Sequence, residues 1–378
     1  MAARTSCLSR RFHRLWLASP SLHFDRNYFS ITRRFVKMVN SVLLGRHRSP
    51  PLETLCIESS FRSRCPLPFY PVLCWIIRAD DLGVRHLCLT LEADTVAVLF
   101  WVIFSIESLE SLHIETLHFT NRQAALPVTI FSTCLKSLSL WFNVDSAYLT
   151  RLIRELPVLE YLELKHINQI RIDLSSMSVK KLKLQVHSCN IMKLCFPKLD
   201  FIHLICEVSN MEMFQGEMPL VSQAVLIMRC PYKVPTLVLE SMLKSAANVV
   251  ELTLSIETSV DFESIYLTCC EMQLSFPRLE NFKFSCSMCF LKLFQAEMPV
   301  LRKANIQISY AKEEFAPPVS NFLKCIANVV DLKFTIRDNL VRPQYNYIYN
   351  YISSLSVFVR NCSCLSALKT QSKLGITK

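Results

Sequence analysis

Seventeen cysteines and nine histidines give the chain many potential metal ligands and nucleophiles. Their spacing gives them little to do. Cys286-Ser-Met-Cys289 is a lone C-x-x-C, Cys362 and Cys364 stand two apart, and His113 and His118 stand five apart with no HExxH. A structural zinc wants four convergent ligands, and no stretch of sequence supplies them. An odd number of cysteines without framework spacing reads as buried thiols, small hydrophobes in a reducing compartment. Phosphate chemistry needs clustered glycines so that backbone N–H groups approach the phosphates. The chain has four isolated ones, Gly45, Gly83, Gly216 and Gly375, so no GxGxxG, Walker or kinase loop exists, and GxSxG is absent. Triads are spatial, but nothing here marks an activated nucleophile. The chemistry points to a protein that is not an enzyme, with no cofactor and no metal.

The charge of +11 first suggests nucleic acid or an anionic membrane. Its distribution argues otherwise. Residues 1–50 carry ten Lys/Arg against Asp25, a net of +9, whereas 51–378 carry 32 basic and 30 acidic residues, a net of +2. A neutral body tracks phosphates poorly, so no nucleic acid is expected, even at Arg10, Arg11, Arg14, Arg33 and Arg34. The longest apolar run, Val96–Phe104, is too short to span a bilayer, so no membrane is expected either. With 51% hydrophobic and 19% charged residues, 378 residues bury a sizeable core and do not stay disordered. The polar, arginine-rich start does not read as a signal peptide, which places the protein in the nucleus and/or cytoplasm.

The elements that must position any site are repeats. The unit reads L-x-x-L-x-L, with Val, Ile, Phe or Ala as substitutes. Units run Leu52–Ile57, Val84–Leu89, Leu109–Ile114, Leu135–Leu140, Leu159–Leu164, Val179–Leu184 and Leu199–Leu204. Others begin at Val221, Val249, Leu279, Leu301 and Val329, with a weak one at Leu365. The closing alternation fits a strand with one buried face, and the period predicts an α/β leucine-rich-repeat solenoid. Its curved parallel sheet would carry a helical or irregular convex side, with short helices at Ala147–Leu156 and Thr236–Ala247. Residues 194–257 align without a gap onto 274–337, with 19 of 64 positions identical, an internal duplication. The basic head reads differently, as amphipathic helices over Thr5–Trp16 and Ser30–Leu44.

LSRRFHRLWLASPSLHFD at 8–25 resembles the end of an F-box and its exit segment in plant F-box/leucine-rich-repeat proteins. FVKMVNSVLL at 35–44 resembles the helix that follows the F-box there, and WIIRADDLGVRHLCLTL at 75–91 and LPVTIFSTCLKSLSL at 126–140 resemble the family's repeat signatures. The resemblance implies four segments. These are a C-terminal F-box remnant over 1–20, a basic helical linker over 21–50, the repeat array over 51–340, and a weak cap or tail over 341–378. It also implies a substrate receptor of a Skp–cullin–F-box ubiquitin ligase. Leu8, Arg11, Leu15 and Trp16 match the closing F-box helix and would touch a Skp-type adaptor, which joins the cullin complex. The F-box helices expected before them have no counterpart in this sequence, which puts adaptor binding in question.

An unknown substrate protein would then sit on the concave face, where the x positions beside the strand leucines point. The binding candidates are Lys136, Trp141, Glu160, Tyr161, Glu163, Lys181, Lys183, Phe201 and His203. Trp and Tyr suit anchoring because they bury much area with few rotors. The alternative function is a leucine-rich-repeat protein-binding scaffold with no ligase association.

Overall fold

Each repeat unit turns its first apolar residue inward and then extends. The computed structural model describes residues 18–46, 50–59, 67–91, 99–116, 132–208, 210–230, 236–258, 272–287, 294–309, 322, 325–326 and 329–337. The chain divides into two compact units, residues 1–167 with 174–179, and residues 168–173 with 180–378. Both are leucine-rich-repeat-type α/β solenoids, with parallel strands and flanking helices. Every unit from Leu52 to Val329 becomes a strand that starts two residues after its first apolar position.

The first unit's sheet runs β1 (Ser21–Asp25), β2 (Thr54–Glu58), β3 (His86–Leu91), β4 (Ser111–Thr116), β5 (Ser137–Trp141) and β6 (Tyr161–Asn168), each parallel to the next. The register is constant, so side chains fall into rows. Leu22, Leu55, Leu87, Leu112, Leu138 and Leu162 form one buried row; Phe24, Ile57, Leu89, Ile114, Leu140 and Leu164 form the other. The residues between them point to the opposite, open face, as strand alternation requires. A repeated backbone device locks the register. The carbonyl one residue before each strand accepts both N–H groups that open the next, as Lys136 does from Glu160 and Tyr161 at 2.8 and 2.9 Å.

Strand β1 was expected to lie in a helical linker. It is extended because Leu22 and Phe24 alternate into the core, and Pro20 supplies the register carbonyl to Glu53 and Thr54. The repeat pattern missed it because Ser19 stands where Leu52 stands in the next unit. The expected helix of the head is present as α1 (Thr32–Gly45), burying Phe35, Val39, Val42 and Leu43. Helix α2 (Phe69–Asp81) sets Trp75 edge-on to Phe35 at 6.0 Å, and its indole N–H donates to Asn40 Oδ1 at 2.6 Å. Helix α3 (Ser146–Arg154) begins at Asp145, whose carboxylate accepts the Ala147 and Tyr148 N–H groups.

In the second unit β8 (Lys181–Ser188), β10 (Phe201–Glu207), β12 (Gln223–Cys230), β13 (Glu251–Thr258), β15 (Asn281–Ser287), β17 (Lys303–Ser309) and β18 (Asp331–Arg337) pair in the same order and sense. The return limbs hold a feature the sequence pattern did not show. Several are strands: β7 (Arg171–Ser175), β9 (Ile191–Cys195) pairing with β11 (Met213–Glu217), and β14 (Met272–Ser275) pairing with β16 (Phe294–Glu297). Helix α4 (Thr236–Ser245) covers another limb.

The duplication explains the second unit's core. Ile202, Leu204 and Met242 of the first copy correspond to Phe282, Phe284 and Phe322 of the second. With Phe294 these rings pack at centroid distances of 5.1–6.2 Å, replacing aliphatic contacts by offset aromatic ones.

Candidate protein-binding face

On the open face of the first unit, register alone gathers a polar and aromatic cluster. His113, Ser139 and Glu163 share one row, and Glu115, Trp141 and Lys165 share the next. Glu163 is the hub, with its side chain only 12% exposed. The Ser139 and Tyr161 hydroxyls both donate to its Oε2 at 3.0 Å, and Lys165 Nζ lies 3.2 Å from Oε1. Burial alone raises the pKa of this carboxyl. The bonds from Tyr161, Ser139 and Lys165 outweigh that and hold it below the usual range. The Tyr161 hydroxyl is pushed up, by burial first and then by the bond to Glu163, so it stays a donor.

Lys165 also sits 3.3 Å above the centre of the Trp141 ring, and His113 meets that ring edge-on at 4.8 Å. Burial holds His113 below its ordinary pKa, and Lys165 adds to this against Glu163 and Glu58, so the imidazole is neutral at pH 7. Glu115 is shifted upward, mainly by burial. Trp141 is half-buried, yet its Nε1 is buried and has no hydrogen-bond partner among the described residues. This leaves a desolvated donor beside a held cation.

The row also tests for hydrolytic chemistry. His113, Ser139 and Glu163 are the residue types of a triad, but a triad needs histidine between the serine and the acid. Here Ser139 occupies the middle strand and donates to Glu163, while His113 packs on Trp141. In that order the serine bonds the acid directly, and the histidine does not stand between them. The fold is that of a non-catalytic scaffold.

The candidates from the sequence divide by position. Trp141, Tyr161 and Glu163 converge, together with Ser139 and Lys165. Lys136 and Glu160 do not; each precedes its strand and is exposed. Lys136 pairs instead with Glu110 at 2.9 Å, which lowers the pKa of that carboxyl and raises that of the lysine. In the second unit Lys181 neighbours Phe201 and Lys183 neighbours His203 in register, on a face continued by half-buried Val225, Ile205 and Ile227. Leu8, Arg11, Leu15 and Trp16 lie outside the described residues, as do His118, Cys289, Cys362, Cys364 and Leu365. Sequence reasoning missed His113 and Glu115 as members of this face. Repeat phase was the available signal, since Cys56, Cys88, His113, Ser139 and Glu163 all fill the x of L-x-L.

No known protein-family profile matches the chain, and no solved structure matches it. Three curated proteins of Arabidopsis thaliana are similar in sequence. F-box/LRR-repeat protein At3g03360 is 25% identical over 300 residues, 74% of this chain and 59% of that protein. Putative F-box/FBD/LRR-repeat protein At4g00315 is 30% identical over 49% of this chain and 42% of its own length. F-box/FBD/LRR-repeat protein At2g04230 is 33% identical over 36% and 30%. The chain thus spans less than two thirds of the length of each relative. Among the described residues no helix is long and apolar enough to cross a membrane. Together, the repeat register and these partial matches make the chain a leucine-rich-repeat solenoid with distant homology to plant F-box/LRR-repeat proteins.

Proposed function

We propose that this protein is the non-catalytic recognition subunit of a Skp–cullin–F-box ubiquitin ligase, acting in the nucleus and/or cytoplasm. In this reading the open sheet face holds the protein to be ubiquitinated. Leu8, Arg11, Leu15 and Trp16 contact the Skp-type adaptor. The observation that carries the binding half is Trp141, an aromatic anchor with a buried, unpartnered donor, fixed between His113 and Lys165. The ligase half is supported by the relatives' names and by the resemblance of residues 8–25 to the end of an F-box.

The test is co-expression of the full chain with a Skp-type adaptor and its cullin, followed by co-purification. The proposal expects a complex that Trp16→Ala weakens and Trp141→Ala leaves intact. Proximity labelling in plant cells should then give a set of proteins that Trp141→Ala depletes. Absence of any adaptor complex overturns the ligase role. Labelled partners that survive this loss would mark a binding scaffold with no ligase association.

A further inference from the structure

The first three strands carry a second cluster on the same open face of the first unit, with Cys88 in register beside His113. The register sets His23, Cys56 and Cys88 side by side on β1, β2 and β3. Glu58 lies two residues beyond Cys56, on the same side of β2. One ligand atom each from His23, Cys56 and Glu58 lies within 4.8 Å of the others. Cys88, in register beside Cys56 on β3, adds a second thiol next to this group without joining it.

The spacing has the dimensions of a coordination shell. Zinc bonds of about 2.05 Å to nitrogen or oxygen and about 2.3 Å to sulfur, at tetrahedral angles, put N and O about 3.3 Å apart and S and O about 3.6 Å apart. His23 Nε2 lies 3.2 Å from Glu58 Oε1, and Cys56 Sγ lies 3.6 Å from the same oxygen. A thiol, an imidazole and a carboxylate form a donor set suited to Zn²⁺ rather than to a hard cation. Asp25, in register with Glu58, adds negative charge, and His23 is 55% exposed, so an ion has a path in.

We infer that His23, Cys56 and Glu58 form a zinc site that ties the first two strands of the repeat array together, with Cys88 its neighbour on the third. The ligands come from two chain segments, with His23 lying 33 residues before Cys56. Metal binding therefore stabilises the folded unit, because the unfolded chain holds no such site. The inference is independent of the proposed ligase role.

The test uses the full chain, reduced, stripped with chelator and titrated with Zn²⁺ against a chromophoric competitor, then with Co²⁺. The expected result is one equivalent whose affinity falls at least about tenfold in both Cys56→Ser and His23→Ala. Cys195→Ser, on a return strand, should leave it unchanged. The cobalt form should show tetrahedral d–d bands and a thiolate charge-transfer band that Cys56→Ser removes. Metal-free unfolding curves establish that each variant folds, and Glu58→Gln replaces any that does not. Zinc affinities equal to native in Cys56→Ser and His23→Ala, or a cobalt spectrum without a thiolate band, would overturn the site. The cluster would then be an ion pair beside two thiols.

Discussion

Replacing Glu163 tests whether the open face is a built polar cluster or a loose surface. Glu163→Ala removes one acceptor from two hydroxyls and the counter-ion from Lys165. A hydrogen bond to a charged group is worth about 1.5–3 kcal/mol, and a buried hydroxyl left without a partner costs about 1–3 kcal/mol. Ser139 is 5% exposed and bears that cost most fully; Tyr161 is half-buried and regains water. The expected loss is therefore about 2–4 kcal/mol in urea unfolding at pH 7. Glu163→Gln keeps an acceptor for the hydroxyls and loses only the charge, so about 1–2 kcal/mol is expected. The pH dependence has a definite sign. The carboxyl's pKa is lower in the folded protein than in the unfolded chain, so its contribution is complete above the unfolded value of about 4.3. It is lost as pH falls through the folded value. The stability gap between native and Gln proteins should be constant from pH 8 to pH 6 and shrink below about pH 4.3. A loss under about 1 kcal/mol for the Ala variant, or a gap that widens on acidification, would refute the reasoning.

Two further substitutions probe how helices seat on the repeats. A methyl group at Gly216 would meet Ser245 Oγ at 2.7 Å and the Phe214 ring at 2.9 Å, so Gly216→Ala should destabilise the second unit by about 1–3 kcal/mol in denaturant unfolding. The duplicate position is already Ala296, with Cys325 in place of Ser245, so Ala296→Gly should not stabilise. Asp145→Ala removes the N-cap of α3, and a loss of about 1 kcal/mol is expected, with faster amide exchange confined to its first turn.

Repeat phase was the most legible property of this chain. L-x-x-L-x-L repeats the physics of a strand with one buried face, so the unit starts at Leu52 and at Val329 located strand beginnings to the residue. Helices α1, α3 and α4 were legible from amphipathic spacing. Strands such as β9 and β11 were not, because a four- or five-residue strand on a return limb is short and carries no recurring pattern. Strand β1 escaped for a related reason, since its unit begins on Ser19.

The candidate sites divide along the same line. The sequence by itself determined which residues leave the core, since alternation assigns Trp141, Tyr161 and Glu163 to a non-core face. Only tertiary structure decided what they meet there. Glu163 binds Ser139 across a strand pair, and Lys165 covers Trp141, because constant register lines up equivalent positions of successive units. Histidine and cysteine spacing along the chain argued against a metal. Yet His23, Cys56 and Cys88 become neighbours, because parallel strands about 4.8 Å apart convert a separation of some thirty residues into one side-chain contact.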